Sequence, residues 1–227
     1  MTALLHLDSS ANHSSESVSR ELTASFAQAW RSRHAGAGYR HRDLAEDPVP
    51  PINTAYCQLG RRLERHGLVA LDKVAALAES PDEEQQWALT LPLITEVRAA
   101  DVILIGAPMY NLSVAASLKA WIDRVTFPGA FTDLDSGDSL LSRTRVVVVA
   151  ARGGAYGPGM PGEGLDFQVP YLRAYFRKQG VAGSGIHVVS SELTLARLVP
   201  RLTALQPRAD RSRAEARHAV TALAAAL

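Results

Sequence analysis

The stretch Val102-Ile103-Leu104-Ile105-Gly106-Ala107-Pro108-Met109-Tyr110-Asn111 decides the fold of this chain. Its first half is almost wholly apolar, which is typical of a strand that is buried on both faces of a parallel sheet. Its second half is a loop. A helix follows the loop, and apolar residues recur at helical spacing on its predicted inner side, at Ala115, Leu118, Ile122 and Val125. The stretch therefore predicts one strand-loop-helix unit of an α/β protein.

Two further loops follow strand-like apolar runs in the same way. The segment from Ser9-Ser10 to Ser17-Val18-Ser19 follows the run 3–7, and Arg152-Gly153-Gly154 follows the run 145–151. In an open parallel sheet, ligands bind in the crevice outside the carboxyl ends of the strands. Three such loops on one edge of one sheet therefore predict a single composite pocket.

Apolar periodicity alternates between strand and helix along the whole chain. The predicted strands cover 3–7, 39–43, 101–107, 145–151 and 186–189, and the predicted helices include 18–34, 169–178 and 214–227. Ser80-Pro81-Asp82-Glu83 has the sequence of a helix start with a capping box. The pattern does not place the segment 44–80. Because no linker interrupts this alternation, we expect one doubly wound domain over 1–227, with helices on both faces of a five-stranded sheet.

The positions of the three loops also favour one strand order. In the order 2-1-3-4-5, strands 1, 3 and 4 are immediate neighbours. The three loops follow strands 1, 3 and 4. The order therefore explains why the loops would converge on one pocket.

Composition excludes several classes of protein. The chain has 227 residues, is 47% hydrophobic, and carries 24 Lys and Arg against 23 Asp and Glu, so it has no basic excess for nucleic acid. The single Cys57 rules out an internal disulfide and suits a reducing compartment. No basic, apolar leader and no membrane-length apolar run is visible. We expect a soluble cytoplasmic protein without a nucleic-acid or membrane partner.

The first loop has the chemistry of an anion site. It lacks both the G-x-G-x-x-G fingerprint and the P-loop motif, and instead offers serine hydroxyls that lead into a helix N-terminus. Free backbone N–H groups and the helix dipole attract an anion there, and a terminal phosphate monoester offers three oxygens to such donors. An alternative is that the serines only cap the helix and solvate the loop.

The other two loops are weaker signals when each is taken alone. Asn111 is also explained as a helix cap in an ordinary strand-to-helix turn, and Gly153-Gly154 as a flexible turn. Adjacent glycines at a strand end also let a flat ligand lie close to the backbone. The sequence shows no nucleophilic triad and no metal-ligand cluster, and we expect His6 and His187 to be satisfied strand histidines.

Several motifs together carry a family resemblance: Ser9-Ser10, Ser17 to Arg20, Arg42 to Ala45, Ala107 to Asn111, Leu118 to Asp123, Arg152 to Gly154, and Pro170 to Leu172. The chain resembles the FMN-dependent NAD(P)H azoreductase and quinone oxidoreductase family of flavodoxin-like proteins. The resemblance implies a flavodoxin-like fold and bound FMN that accepts hydride from NADH or NADPH. It also implies reduction of a quinone or azo compound by a ping-pong mechanism, in a homodimer with active sites at the interface.

The resemblance assigns roles residue by residue. The FMN phosphate would be held by Ser10, Ser17, Val18 and Ser19. The isoalloxazine ring would be edged by Pro108, Met109, Tyr110, Asn111 and Leu112, and its pyrimidine side contacted by Ala151, Arg152, Gly153 and Gly154. No side chain acts as a catalytic group, although Gly153 and Gly154 would stabilise the reduced flavin. Candidates for the wall of the acceptor pocket are Trp121, Phe127, Phe131 and Tyr156; for Trp121, packing in the core or the dimer interface is an equal alternative.

The chain departs from the family pattern in places that bear on the substrate. Leu112 stands where an aromatic residue is common, and the segments 127–131 and 177–179 are altered. These departures leave open a flavin reductase dedicated to one substrate of specialised metabolism. A further alternative is an electron-transfer protein that docks on a protein partner, but such carriers tend to be short and strongly acidic, whereas this chain is longer and nearly neutral.

Overall fold

The computed structural model describes residues 2–227 as a layered α/β structure around one parallel sheet. The sheet has the order β2-β1-β3-β4-β5, which confirms the predicted order 2-1-3-4-5. Its strands are β1 Ala3–Asp8, β2 Gly38–Asp43, β3 Val102–Pro108, β4 Arg145–Ala151 and β5 Ile186–Ser191. Every neighbouring pair of strands is parallel, so all five carboxyl ends lie at the same edge.

Six α-helices cover the two faces of the sheet. They are α1 Val18–Arg33, α2 Thr54–His66, α3 Pro81–Ala99, α4 Ala116–Val125, α5 Val169–Lys178 and α6 Gln206–Ala226. Short 3-10 helices span Leu71–Leu77, Gly183–Gly185, Thr194–Arg197 and Pro200–Leu205. The last α-helix begins at Gln206, earlier than the predicted 214. Within residues 2–227, no helix has both the length and the apolar content needed to cross a bilayer.

Two cores lie on opposite faces of the sheet because strand side chains alternate. Ile103 and Ile105 pack with α2 to α5 in the larger core, whereas Leu104 packs with α1 and α6 in the smaller one. All residues of β3 are buried, which confirms that this strand is covered on both faces. The apolar run at 102–108 thus sits at the centre of the molecule and fixes where the loops on either side emerge.

The start of α3 is capped nearly as predicted. The Ser80 hydroxyl accepts a hydrogen bond from the Glu83 N–H at 3.3 Å, and Pro81 lies in the first turn. The Glu83 carboxylate closes the cap one residue earlier than a capping box does, because it accepts from the Glu79 N–H at 2.7 Å. Arg62 of α2 donates to the same carboxylate at 2.6 Å.

The segment 44–80, which the sequence pattern does not place, is anchored by one buried cation. Arg124 of α4 is fully buried and donates to the carbonyl oxygens of Pro50, at 2.9 Å, and Pro51, at 3.1 Å. It also donates to Gln86 Oε1 at 3.1 Å and Thr90 Oγ1 at 3.2 Å on α3. Burial lowers the pKa of the Arg124 guanidinium, since these neutral acceptors compensate only part of its lost hydration.

We predict that Arg124→Ala lowers the free energy of unfolding by about 3 kcal/mol or more, since several buried acceptors lose their donor and a cavity forms. Chemical denaturation monitored by circular dichroism measures the change. The control is Arg61→Ala, which removes an exposed arginine from α2 and should alter the stability by less than about 0.5 kcal/mol. Equal, small effects of both substitutions would contradict the anchoring role of Arg124.

Candidate functional site

The structure brings the three predicted loops together at the carboxyl edge of β1, β3 and β4. The Ala11 N–H donates to the Tyr110 hydroxyl at 3.1 Å, which joins the first loop to the second. The Met109 N–H donates to the Ala151 carbonyl at 2.8 Å, which joins the second loop to the end of β4. Hydrogen bonds therefore connect the three loops, which are not three separate turns.

The serine-rich loop combines a helix cap with free donors. Ser17 is the N-cap of α1: its hydroxyl accepts from the Arg20 N–H at 3.4 Å and lies 3.2 Å from the Ser19 hydroxyl. Val18 and Ser19 are the first two residues of the helix, and their N–H groups have no partner within it. The capping interpretation and the anion-site interpretation are thus compatible. Ser10, Ser17 and Ser19 are all at least nine-tenths buried.

An ion pair fixes the loop relative to the edge of the sheet. The Arg20 guanidinium pairs with both oxygens of Asp43, at the end of β2, and donates to the Ser10 carbonyl at 2.7 Å. The hydrogen bond from Arg20 holds the pKa of the Asp43 carboxyl below its usual range. Arg20 and Asp43 belong to the motifs that carry the family resemblance, but only the structure shows that their pairing supports the backbone of Ser10.

The second loop is a tight turn in a strained conformation. The backbone groups of Tyr110 and Ser113 exchange hydrogen bonds at 3.0 and 3.1 Å, and both central residues, Asn111 and Leu112, have positive φ angles of 48° and 71°. Two such residues are typical of a type I′ turn. A leucine in the left-handed region costs about 1–2 kcal/mol. Because the N-cap of α4 is Ala115, Asn111 is not the helix cap that the alternative interpretation required.

The third loop places a buried arginine between two carboxylates. Arg152 donates to Asp166 Oδ2 at 2.8 Å and lies 3.3 Å from Glu192 Oε1. Glu192 also accepts from the Tyr156 N–H at 3.0 Å, so the loop after β5 and the segment 152–156 form one network. The charge of Arg152 is consequently balanced within the protein.

The two glycines of this loop leave their backbone donors available. Within residues 2–227, the N–H groups of Gly153 and Gly154 donate to no protein acceptor. A Cβ atom on Gly153 would lie 2.7 Å from Leu195 Cδ1, and a Cβ atom on Gly154 would lie 3.4 Å from Tyr156. Glycine at 153 therefore allows Leu195 to pack against the backbone, and both glycines remain partly exposed.

A cavity of about 380 Å³ opens beside these glycines. Leu112, Gly153, Gly154 and Tyr156, all named from the sequence, lie in its wall. The sequence analysis missed the remaining lining residues, which are Ala155, Met160, Pro161, Gly162, Leu165, Leu193, Leu202, Leu205 and Arg208. Spacing could not indicate them, because they come from an irregular Gly- and Pro-rich stretch, from the short segments after β5 and from the start of α6.

Three candidates for the acceptor pocket do not reach this cavity. Trp121, Phe127 and Phe131 are 1%, 4% and 6% exposed and belong to the larger core. Phe127 packs between the rings of Tyr56 and Trp87, with ring centroids 5.2 and 5.0 Å away. These three side chains therefore do not line this cavity, and their place in the wall of an acceptor pocket stays a prediction. For Trp121, its burial in the larger core supports the alternative of core packing. Of the four candidates, Tyr156 is the one that borders the cavity.

Comparisons with known proteins agree with this geometry. A family model described as "Flavodoxin-like fold" matches residues 2–198. The FMN-dependent NADH:quinone oxidoreductase of Nocardia farcinica is 42% identical over 216 residues, which is 95% of this chain and 94% of that protein. This chain belongs to the FMN-dependent NADH:quinone oxidoreductase family. Its membership confirms the resemblance carried by the sequence motifs.

Solved structures of more distant proteins share the fold of this chain. The azoreductase from Bacillus anthracis strain Sterne superposes with a TM-score of 0.79 at 17% identity, covering 100% of both chains. An FMN-dependent NADH-azoreductase from Bacillus anthracis strain Ames Ancestor, in complex with FMN, gives 0.75 at 18% identity, covering 99% of this chain and 100% of that chain. At these identities the similarity shows the fold alone.

Proposed function

We propose that this chain is an FMN-dependent NADH:quinone oxidoreductase that reduces quinones and azo compounds with two electrons. The observation that carries the proposal is that a serine-rich helix N-terminus follows β1 and glycines with available N–H groups follow β4, the two strands that flank β3. The relative from Nocardia farcinica, an FMN-dependent NADH:quinone oxidoreductase, supports the same reaction type. NADH is the electron donor that the relative's name specifies, and NADPH is the alternative donor.

The phosphate of FMN would be held by the first loop. The hydroxyls of Ser10, Ser17 and Ser19 and the free N–H groups of Val18 and Ser19 are the donors of the site. These donors sit at a helix N-terminus, where the dipole favours a dianion. Arg20 holds the Ser10 carbonyl and is itself neutralised by Asp43, so it supports the loop rather than the phosphate.

The isoalloxazine ring would be held by the other two loops. The segment from Pro108 to Leu112 would border it on one side, and the backbone from Ala151 to Gly154 on the other. Bound FMN would take up hydride from the nicotinamide and deliver it to the acceptor. The N–H groups of Gly153 and Gly154 would stabilise negative charge that develops on the pyrimidine ring. Because Asp166 and Glu192 already balance Arg152, we assign Arg152 to loop positioning.

The cavity beside the glycines would receive the nicotinamide and the acceptor in turn. Its volume of about 380 Å³ is in the range of small-molecule pockets, and its leucines and Tyr156 favour a flat, apolar ring. One shared cavity requires the first product to leave before the acceptor enters, which is a ping-pong mechanism. No side chain there needs to act as a nucleophile.

We also propose that the chain acts as one domain in a homodimer whose active sites lie at the interface. Leu165, Phe167 and Leu195 are 44%, 56% and 44% exposed. They lie next to the site: the Phe167 N–H donates to the Leu112 carbonyl at 3.1 Å, and Leu195 borders Gly153. Exposed apolar residues that cluster around a pocket mark an interaction surface. The near-zero net charge and single Cys57 fit a cytoplasmic enzyme without a nucleic-acid partner.

Purified protein reconstituted with FMN tests the function directly. We expect NADH to bleach the bound flavin without oxygen, and a simple quinone or an azo dye to restore its absorbance over repeated cycles. A flavin that is reoxidised only by a protein partner would favour the electron-carrier alternative. Failure to bind FMN would overturn the proposed function.

Ser19→Ala tests the phosphate site without removing the helix cap. We expect FMN to bind about 10- to 100-fold more weakly, since a hydrogen bond to a charged group contributes about 1.5–3 kcal/mol. Riboflavin, which lacks the phosphate, should bind the variant and the wild type equally. Ser25→Ala, on the same helix with its hydroxyl bonded to the Glu21 carbonyl, is the control. A parallel loss of riboflavin affinity would contradict the assignment; flavin fluorescence quenching measures both.

Phe167→Glu tests the interface. A charge on this exposed apolar surface should shift the protein from dimer to monomer in sedimentation velocity, because burying an unpaired carboxylate is unfavourable. Leu89→Glu changes a leucine on α3 that is 39% exposed and should leave the dimer intact. A Phe167→Glu variant that stays dimeric would place the interface elsewhere.

A further inference from the structure

A second group of polar side chains lies on the other half of the sheet, between β1 and the edge strand β2. His6 and Asp8 are two residues apart on β1 and therefore point to the same face. His41 is the register partner of His6 on β2, so its side chain shares that face. One ligand atom from each of the three residues lies within 4.8 Å of the others. Local sequence patterns do not indicate this group, because His41 is 33 residues from Asp8 and no motif connects them.

The spacing of these atoms fits a small metal ion. His6 Nε2 and His41 Nε2 lie 3.3 and 3.1 Å from the same oxygen, Asp8 Oδ2. Ligands at about 2.0–2.1 Å from a tetrahedral Zn²⁺ are about 3.4 Å from one another. Two imidazoles and one carboxylate, with an open fourth position, are a familiar donor set for such ions. Binding would therefore require only small side-chain movements.

His6 itself shows the second sign of a ligand site. The residue is 3% exposed, and its Nε2 atom has no hydrogen-bond partner within residues 2–227. Its other ring nitrogen, Nδ1, lies 2.9 Å from the Tyr39 hydroxyl. If Nδ1 carries the proton and donates it to Tyr39, the lone pair of Nε2 faces Asp8 and His41. A second partner that fixes the ring and its tautomer is a regular feature of metal-binding histidines.

The Asp8 side chain is also oriented by a second partner. The Thr23 hydroxyl donates to Oδ1 at 2.9 Å, which leaves Oδ2 for the two imidazoles. The side chain is thus oriented by one partner and presents its second oxygen to the group, as the Tyr39 contact orients His6.

The surroundings tolerate a cation. The Arg20 guanidinium is 4.0 Å from Asp8 Oδ2, but Asp43 neutralises it through a two-oxygen ion pair. A groove of about 970 Å³ reaches the group from solvent. The other polar or charged residues that line this groove are Ser14, Gln28, Arg31, Ser32, His34 and Tyr39.

We propose that His6, Asp8 and His41 form a binding site for one divalent transition-metal ion, with Zn²⁺ as the representative ion. The ion ties the edge strand β2 to β1 directly before the serine-rich loop. This site is separate from the proposed flavin chemistry, because none of its ligands belongs to the three loops. The metal-free alternative is an ion pair between Asp8 and a protonated His41, whose pKa the hydrogen bond to Asp8 raises.

Calorimetric titration of the tag-free, FMN-loaded protein with Zn²⁺, after treatment with a chelator, tests the proposal. We expect one ion per chain, and His41→Ala should bind it at least about 10-fold more weakly, as loss of a ligand exceeds the loss of a supporting contact. His218→Ala removes an exposed histidine from α6 and should change nothing. Since His41 is exposed on an edge strand, the variant should fold and retain FMN.

Two further measurements complete the test. Asp8→Asn keeps the volume of the side chain but removes its charge, and it should also weaken Zn²⁺ binding by at least about 10-fold. X-ray absorption at the zinc edge should show a shell of nitrogen and oxygen with the scattering of two imidazoles. Absence of stoichiometric binding, or equal binding by His41→Ala and His218→Ala, would overturn the proposal and leave the ion pair. Neither result depends on NADH oxidation.

Discussion

The pairing of β3 with β1 on one side and β4 on the other is the constraint on which the functional edge depends. It requires close approach: a Cβ atom on Gly106 would lie 2.5 Å from Asp8 Oδ1. With glycine there, the Ser9 hydroxyl and N–H both donate to the Gly106 carbonyl, at 2.7 and 3.2 Å. The first loop follows β1 in sequence, and these hydrogen bonds also anchor it to β3. The second loop continues from the same strand and is tied to β4 by Met109. A ligand that spans the three loops is held by one rigid ladder.

The loops themselves are held by internal interactions that compensate strain and charge. Leu112 occupies the left-handed region within a turn closed by Tyr110 and Ser113, and such strain persists only where surrounding contacts enforce it. Arg152 is buried because Asp166 and Glu192 balance its charge. Beside Arg152 the backbone remains available to a ligand, since the N–H groups of Gly153 and Gly154 have no acceptor in the described part of the chain, residues 2–227. Preorganised donors of this kind stabilise developing charge without reorganisation during the reaction.

The polar side chains of the edge strand β2 are explained by the exposure of this strand. Its first four residues are exposed, and an edge strand with charged side chains resists pairing with other chains. On the inner side of that edge, His41 meets His6 and Asp8 beside the Arg20–Asp43 ion pair. Arg20 thus contacts both the carbonyl of the serine loop and the polar group between the strands. The serine-rich loop and the proposed metal site share this arginine, although the residues proposed as ligands differ.

Local sequence patterns were enough to predict the five strands, their order and the convergence of the three loops. Apolar periodicity is a local property, and loops that follow strands 1, 3 and 4 converge only in the order 2-1-3-4-5. Tertiary structure alone decided that Trp121, Phe127 and Phe131 enter the core and that residues 193–208 wall the cavity. It also decided the burial of Arg124 against Pro50 and the meeting of His6 with His41. These outcomes depend on contacts between distant segments, and such contacts follow from packing and register, which local sequence patterns do not encode.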